Sequence, residues 1–131
     1  MALFVTAKVD KELVETIPSD ASRFYIHIPK AYLYEAYDLI TGDRVRGEIL
    51  KISDVDFDAS DFKGKPIELI FKTGMVYDKL FISMKDWKEN FREYGLVEGG
   101  YEIELKLGEA ITYTGKTIKL YSKRDVKIKL T

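Results

Sequence analysis

Basic side chains stand near the ends of the predicted strands and helices in two separate segments. Guanidinium and ammonium groups placed there can bind phosphate oxygens or the acceptor edge of guanine. We therefore interpret these residues as a candidate contact surface for nucleic acid. Its candidate residues are Arg23, Lys30, Arg44 and Arg46 in the first segment, with Lys85, Lys88 and Arg92 in the second.

Solvated surface charge is the competing interpretation of these residues. The formal net charge of the chain is −1, so no strongly basic surface is apparent in the composition. Acidic neighbours such as Asp43 and Glu48 weaken the positive potential around Arg44 and Arg46. The C-terminal segment, residues 115–131, is the most basic stretch.

Several classes of enzyme are disfavoured by the residues that the chain lacks. His27 is the only histidine and there is no cysteine, which excludes two-histidine mechanisms and thiolate chemistry. The serines lie in no Gly-x-Ser-x-Gly elbow, and neither common phosphate-binding glycine loop is present. The sequence therefore favours a binding protein over an enzyme, with no catalytic residue, metal ligand or cofactor assigned.

Acidic residues alternate from Asp54 to Asp58, as in the first half of a calcium-binding loop. However, Ala59 and Lys65 stand where an EF-hand requires glycine and glutamate. We interpret the segment as a solvated acidic loop, with an adventitious Mg²⁺ or Ca²⁺ site as the alternative.

Aromatic residues make up 13% of the chain and have two interpretations. Stacking on nucleic-acid bases is one possible role. Packing in the core is favoured because most of these residues fall at core periods or beside them. The candidates for stacking are Tyr25, Tyr32, Tyr34 and Tyr113.

Hydrophobic periodicity predicts a mainly β protein with two short helices. Phe24, Ile26 and Ile28 alternate with polar or amphipathic residues, which is typical of a half-buried strand. Further strands are predicted at residues 3–9, 44–52, 67–71, 80–82, 101–107, 110–113, 117–121 and 126–130.

The two helices follow Pro29 and Ser83. Proline suits the first helical position, and Ser83 with Asp86 resembles a capping box. Spacing on one helical face predicts that the residues anchoring the helices on the core are Leu33, Tyr37, Trp87 and Phe91.

The order of strand, helix, glycine turn and strand occurs twice. Ile26-His27-Ile28-Pro29 aligns with Leu80-Phe81-Ile82-Ser83, and Gly42 then aligns with Gly99 after a short insertion. The offset between the copies is therefore about 54 to 57 residues. Chance similarity of two β–α–β stretches is the alternative.

Each copy resembles the swapped-hairpin module of the AbrB family. The first carries Ile28-Pro29-Lys30 followed by Gly42-Asp43, whereas the second, residues 80–105, has Ser83 in place of proline and Gly100 in place of aspartate. AbrB-type proteins bind DNA as dimers that share one barrel. The resemblance implies that this chain closes a related cradle-loop barrel alone, binds double-stranded DNA and regulates transcription.

A weaker resemblance is to the archaeal CTP-dependent riboflavin kinases, which are also cradle-loop barrels. That family carries Gly-Thr-x-Asn at the first strand after the helix, where this chain reads Gly47-Glu48-Ile49-Leu50. This chain therefore lacks the threonine and asparagine that support the metal and phosphate contacts in that family. A nucleotide-binding barrel and a protein-interaction module are the alternative functions.

The expected architecture is one domain spanning residues 1–131. It contains a six-stranded cradle-loop barrel with an internal pseudo-twofold repeat and a C-terminal β extension. The boundaries are about 1–55 for the first repeat, about 64–108 for the second and about 109–131 for the extension. We expect a cytoplasmic protein that does not associate with a membrane and that is a monomer or a weak homodimer.

Overall fold

The computed structural model describes residues 2–12, 24–86, 89, 91, 100–121 and 126–127. Within them, nine strands and two short helices follow one another along the chain. The strands are β1 (Leu3–Lys8), β2 (Asp10–Lys11), β3 (Phe24–Pro29), β4 (Arg44–Ser53), β5 (Pro66–Lys72), β6 (Tyr77–Ile82), β7 (Glu102–Ile111), β8 (Thr117–Lys119) and β9 (Val126–Lys127). The helices are α1 (Tyr34–Tyr37) and α2 (Met84–Asp86), and a 3-10 turn covers Ser60–Phe62.

All nine strands belong to one sheet, so the expectation of a mainly β protein with short helices is confirmed. Hydrogen-bonded neighbours follow the order β2-β3-β6-β5-β4-β7-β1-β9, and β8 pairs with β7. Every pair is antiparallel except β1 with β9. Among the described residues the path has two ends, β2 and β9, and no ladder joins them. None of the described helices is long and apolar enough to cross a membrane.

The N-terminal segment, which contains β1 and β2, pairs with strands near opposite ends of this strand order. β1 pairs with β7, and β2 pairs with β3. Only Val9 separates the two strands, and its N–H donates a hydrogen bond to the Tyr101 carbonyl at 2.8 Å. The N–H of Gly100 donates to the Val9 carbonyl at 2.7 Å. The N-terminal segment therefore stays hydrogen-bonded to β7 and the two residues before it as far as Val9, and β2 begins at the next residue.

The long strands β4 and β7 pair along their whole length with two irregularities. Leu50 in β4 and Gly108 in β7 are skipped in the pairing register, which is the pattern of β-bulges. Gly47 lies between them, and a Cβ there would stand 2.0 Å from the Lys106 carbonyl oxygen. The close approach of the two backbones therefore requires glycine at position 47.

Alternating residues of the strands enclose one hydrophobic core. Ile26 and Ile28 of β3 and Leu80 of β6 are buried, as the strand period predicts. The rings of Phe62 and Phe91 stack there with centroids 5.6 Å apart. Leu33 and Phe91 are buried as predicted, although Leu33 lies in the turn before α1 and Phe91 lies beyond the end of α2. Tyr37 is partly buried against the core, and Trp87 lies outside the described residues.

The first helix differs from its prediction. Pro29 is the last residue of β3 and pairs with Tyr77, so the prediction that it begins a helix is wrong. A turn at residues 30–33 precedes α1, which ends where Asp38 adopts a left-handed conformation with φ of 55°. Ile40 lies beyond the end of this helix and is exposed.

The C-terminal strands also differ from expectation. Residues 101–107 and 110–113 were expected as separate strands, but β7 runs continuously from Glu102 to Ile111 because the bulge at Gly108 absorbs the change of phase. β8 then follows, and Leu120 is buried in the core. The Tyr37 hydroxyl accepts a hydrogen bond from the N–H of Tyr121 at 3.0 Å and joins this segment to α1.

Candidate nucleic-acid interface

A cleft of about 540 Å³ lies on the outer face of the sheet, where β4 and β5 meet the start of α2. Three of the predicted binding residues line it: Arg44, Arg46 and Lys85. Their neighbours across the cleft are Glu68, Asp86 and Glu89. The formal charges of these six side chains balance, so any selectivity for anions depends on how the acidic groups are engaged.

The strand period accounts for the position of the two arginines. Residues two apart on a strand share a face, and Val45 between them is buried in the core. Arg44 and Arg46 therefore both point to the outer face. Their side chains remain about half exposed, at 55% and 48%.

Glu68 of β5 holds both guanidinium groups. Arg44 Nη1 donates to Glu68 Oε1 at 3.0 Å, and Arg46 Nε donates to Glu68 Oε2 at 2.9 Å. The arginines precede and follow Val45 on β4, and Glu68 pairs directly with Arg46 in the sheet register. One carboxylate thus fixes two cations side by side, and much of each side chain still faces solvent.

The start of α2 places Lys85 at the same cleft. Ser83 Oγ accepts a hydrogen bond from the N–H of Asp86 at 3.2 Å, which confirms the predicted N-terminal cap. The Asp86 carboxylate accepts the Ser83 hydroxyl at 3.1 Å and the backbone N–H of Glu68 at 2.5 Å. Asp86 is therefore occupied in fastening α2 to β5, and Lys85 beside it is exposed.

Lys30, the fourth described candidate, is engaged elsewhere. Its Nζ lies 2.8 Å from Oδ1 of Asp78, whose side chain is completely buried. The same Asp78 oxygen accepts the N–H of Gly74 at 3.2 Å. Lys30 Nζ also lies 4.7 Å from the centroid of the Tyr34 ring. The geometry gives Lys30 a structural role in neutralising a buried carboxylate.

The remaining candidates, Arg23, Lys88 and Arg92, lie outside the described residues. Among the aromatic candidates, Tyr25 has Lys79 Nζ over its ring at 4.5 Å and packs against His27 and Phe81. Its ring is consequently part of an aromatic row on β3 and β6. Tyr113 is 81% exposed.

His27 lies on the outer face of β3, as its strand position predicts. Its Nδ1 is buried and stands 3.7 Å from Oδ2 of Asp10, too far for a hydrogen bond. Burial lowers the pKa of His27, and the positive charge of the nearby Lys79 also lowers it. The negative charge of Asp10 acts in the opposite direction and raises the pKa.

The acidic segment after β4 forms a loop, as predicted. Asp58 Oδ1 accepts the N–H of Ser60 at 3.0 Å, and this bond lowers the pKa of Asp58. Within the described part of the chain, no three acidic or histidine side chains come together as a metal site would require.

Glu68 is a residue of the candidate site that the sequence did not reveal. The alternation of Ile67, Glu68 and Leu69 predicts its outward direction. Its contacts with the arginines depend on the β4–β5 register, which a single strand pattern does not specify.

Comparisons with protein families, curated proteins and solved structures gave no match to this chain.

Proposed function

We propose that this chain is a non-enzymatic DNA-binding protein of AbrB-like type that acts as a regulator. The observation that carries the proposal is the convergence of Arg44, Arg46 and Lys85 from two elements on one cleft. Lys85 follows Arg46 by 39 residues in the sequence, but it lines the same cleft as the two arginines. A single fold-imposed cluster of this kind favours a shared ligand over scattered surface charge.

The chemistry of the cluster suits a phosphodiester backbone. Guanidinium groups bind phosphate oxygens through directed N–H bonds, and an ammonium group acts as a mobile point charge. Glu68 holds Arg44 and Arg46 side by side in the free protein, and a phosphate oxygen would have to compete with its carboxylate for them. Each arginine side chain is about half exposed, so a phosphate oxygen can approach it from solvent.

A closed barrel is the architecture that we propose for this site. β1 and β2 form nearly one continuous strand across Val9, and they pair with β7 and β3 on opposite sides of the hydrogen-bonding path. Treating the two as one strand closes a ring of six through β3, β6, β5, β4 and β7. Closure of this kind removes open sheet edges.

The pairing pattern supports an internal repeat. If the β1–β2 segment, β3 and β4 correspond to β5, β6 and β7, the β3–β6 and β4–β7 pairings map onto themselves and the other four pairings of the ring exchange in pairs. Ile26 then pairs with its own counterpart Leu80, as expected at a twofold axis. The bulges at Leu50 and Gly108 are counterparts as well, at an offset of 58 residues.

Backbone hydrogen bonds around the glycine turns follow the same correspondence. Val9 bonds to Tyr101 and Gly100, and its counterpart Phe71 bonds in the same two ways to Asp43 and Gly42. Gly42 and Gly100 both have positive φ, 102° and 82°. The equivalent glycine is therefore Gly100, one residue beyond the Gly99 that the sequence alignment selects.

The two halves of the proposed repeat carry opposite charges at corresponding positions of β4 and β7, so DNA would bind at only one of them. At the 58-residue offset, Arg44 and Arg46 correspond to Glu102 and Glu104. The proposed twofold axis therefore relates a basic position to an acidic one. We infer that only the face carrying Arg44 and Arg46 approaches the phosphate backbone.

Titration of a labelled DNA duplex against the native chain and the Arg44→Ala/Arg46→Ala double variant tests the proposal. Loss of affinity in the double variant, with unchanged thermal stability, is the expected result. Equal affinity of the two proteins would contradict the proposal.

A nucleotide-binding barrel is the second candidate, and the size of the cleft favours it. Clefts of about 300 to 1,000 Å³ hold small-molecule ligands, and this one measures about 540 Å³. Stabilisation by CTP or a flavin in a thermal-shift assay, without any by duplex DNA, would support this alternative. A ligand at 100 times its dissociation constant adds about 2.7 kcal/mol to the free energy of unfolding.

A further inference from the structure

Two further depressions adjoin the arginine cleft on the outer face of the sheet. One, of about 410 Å³, is lined by Arg46, Gly47, Gly108, Glu109 and Lys119. The other, of about 330 Å³, is lined by Gly47, Glu48, Gly64, Pro66, Lys106 and Gly108. Gly47 lines both depressions and the cleft itself.

Gly108 lines both depressions but not the cleft, which the depressions adjoin only through Gly47 and neighbouring residues of β4 and β5. Gly108 is the extra residue of the β7 bulge, and a Cβ built there has no heavy atom within 4 Å. Its backbone does not occupy the left-handed region, so the conformation itself does not require glycine. A side chain at position 108 would therefore project into open space above the groove.

We propose that these spaces form one groove in which a DNA strand lies, crossing from Lys85 past Arg46 to Lys106 and Lys119. This inference rests on the proposed DNA-binding function and extends its site. It assigns phosphate contacts to Lys106 and Lys119 and a steric role to Gly108.

The dimensions of the groove agree with a short run of phosphates. It crosses β5, β4, β7 and β8, which are successive neighbours in the sheet. Three steps of about 4.8 Å between strands give a path of about 14 Å. One strand of duplex DNA presents a phosphate about every 3.4 Å along the helix axis. Because the strand winds around that axis, its successive phosphates are further apart than this, so the path faces fewer than about four phosphates.

The acidic residues along this path leave the two lysines available. Lys106 Nζ stands 3.8 Å from Oε1 of Glu48, and both side chains are more than a third exposed. An exposed ion pair of this length is worth little, so a phosphate oxygen can replace the carboxylate. Lys119 is exposed and pairs with Glu109 in the sheet register.

Two variants test the groove by separate routes. Gly108→Leu places a side chain in the groove, and Thr114→Leu adds the same side chain to an exposed turn as its control. Lys106→Ala/Lys119→Ala removes the two assigned cations without adding bulk. Binding is measured with a labelled duplex at several salt concentrations, and circular dichroism reports folding.

We expect Gly108→Leu to weaken duplex binding about tenfold or more while Thr114→Leu binds as the native chain does. The lysine double variant should make the slope of log affinity against log salt less negative by about 1.8, since each phosphate contact contributes about −0.9. If Gly108→Leu fails to fold, the lysine variant decides alone. Native affinity and slope in that variant, with binding still dependent on Arg44 and Arg46, would overturn the groove and leave the proposed function standing. No duplex binding by the native chain would instead overturn the proposed function, and the groove with it.

Discussion

The Asp43 carboxylate accepts a hydrogen bond at 2.7 Å from the backbone N–H of Tyr113, which lies 70 residues further along the chain. Its other oxygen accepts the N–H of Ile40 at 2.8 Å. Asp43 is almost fully buried. The residue that follows the first glycine turn thus fastens that turn to the end of β7, next to the strand that carries Arg44.

Replacing Asp43 tests this connection. Asp43→Ala leaves two backbone donors without their partners, and each such loss costs about 1 to 3 kcal/mol. We expect the free energy of unfolding to fall by about 2 to 4 kcal/mol in denaturant melts. Asp43→Asn keeps one acceptor oxygen and should lose less. A loss below about 0.5 kcal/mol for Asp43→Ala would show that these bonds do not stabilise the fold.

Phe91 anchors the second half of the core. Its side chain is fully buried and stacks on Phe62, so Phe91→Ala should lower the free energy of unfolding by about 3 to 5 kcal/mol. The exposed Tyr113 provides the control, and Tyr113→Ala should change it by less than about 0.5 kcal/mol. Similar small losses for both variants would mean that Phe91 is not a core residue.

The stability of the protein should fall as the solution is acidified from pH 7.5 towards pH 5.5, partly because of His27. Burial holds the pKa of His27 below its ordinary value, which is about 6.5. The unfolded chain therefore takes up a proton at a higher pH than the folded chain, and this proton uptake favours unfolding.

The charges around His27 are Asp10, Glu12 and Lys79, and the rings of Tyr25 and Tyr77 flank it. Because it is the only histidine, His27→Gln should flatten the change of melting temperature between pH 7.5 and pH 5.5. An unchanged pH profile in this variant would assign the effect to other groups.

Glu68 should compete with DNA for the two arginines. In Glu68→Gln both guanidinium groups lose a charged partner, and each exposed ion pair is worth about 0.2 to 1 kcal/mol. We expect duplex affinity to rise about two- to tenfold. Glu35→Gln makes the same change of net charge at an exposed position on α1 and should raise affinity much less. Equal gains in both variants would indicate a general charge effect and no specific competition by Glu68.

The local pattern of the sequence predicted much of the sheet. Strand alternation at Phe24, Ile26 and Ile28 gave the correct inward face because the period of two is set by the backbone itself. The capping interaction between Ser83 and Asp86 was also predictable, since it spans only three residues. In the proposed repeat, the backbone hydrogen bonds pair Gly42 with Gly100, one residue from the sequence alignment, because those bonds depend on contacts between distant strands that a local pattern does not contain.

The candidate site depended on information that no local pattern holds. Arg44 and Arg46 were predictable as an outward pair, but their contact with Glu68 requires the pairing of β4 with β5. Lys30 had the same sequence features as the arginines. The buried Asp78 that occupies it lies 48 residues away, and its burial follows from the packing of β6 rather than from its residue type.

The most direct test of the account is the salt dependence of duplex binding in the native chain and in Arg44→Ala/Arg46→Ala. Removing two phosphate contacts should make the slope of log affinity against log salt less negative by about 1.8 and weaken binding about tenfold or more. Lys8→Ala/Lys63→Ala removes two exposed lysines that do not line the cleft and should leave both quantities nearly unchanged. The absence of binding at micromolar native protein in low salt, or the same slope and affinity in the arginine variant as in the native chain, would contradict the account.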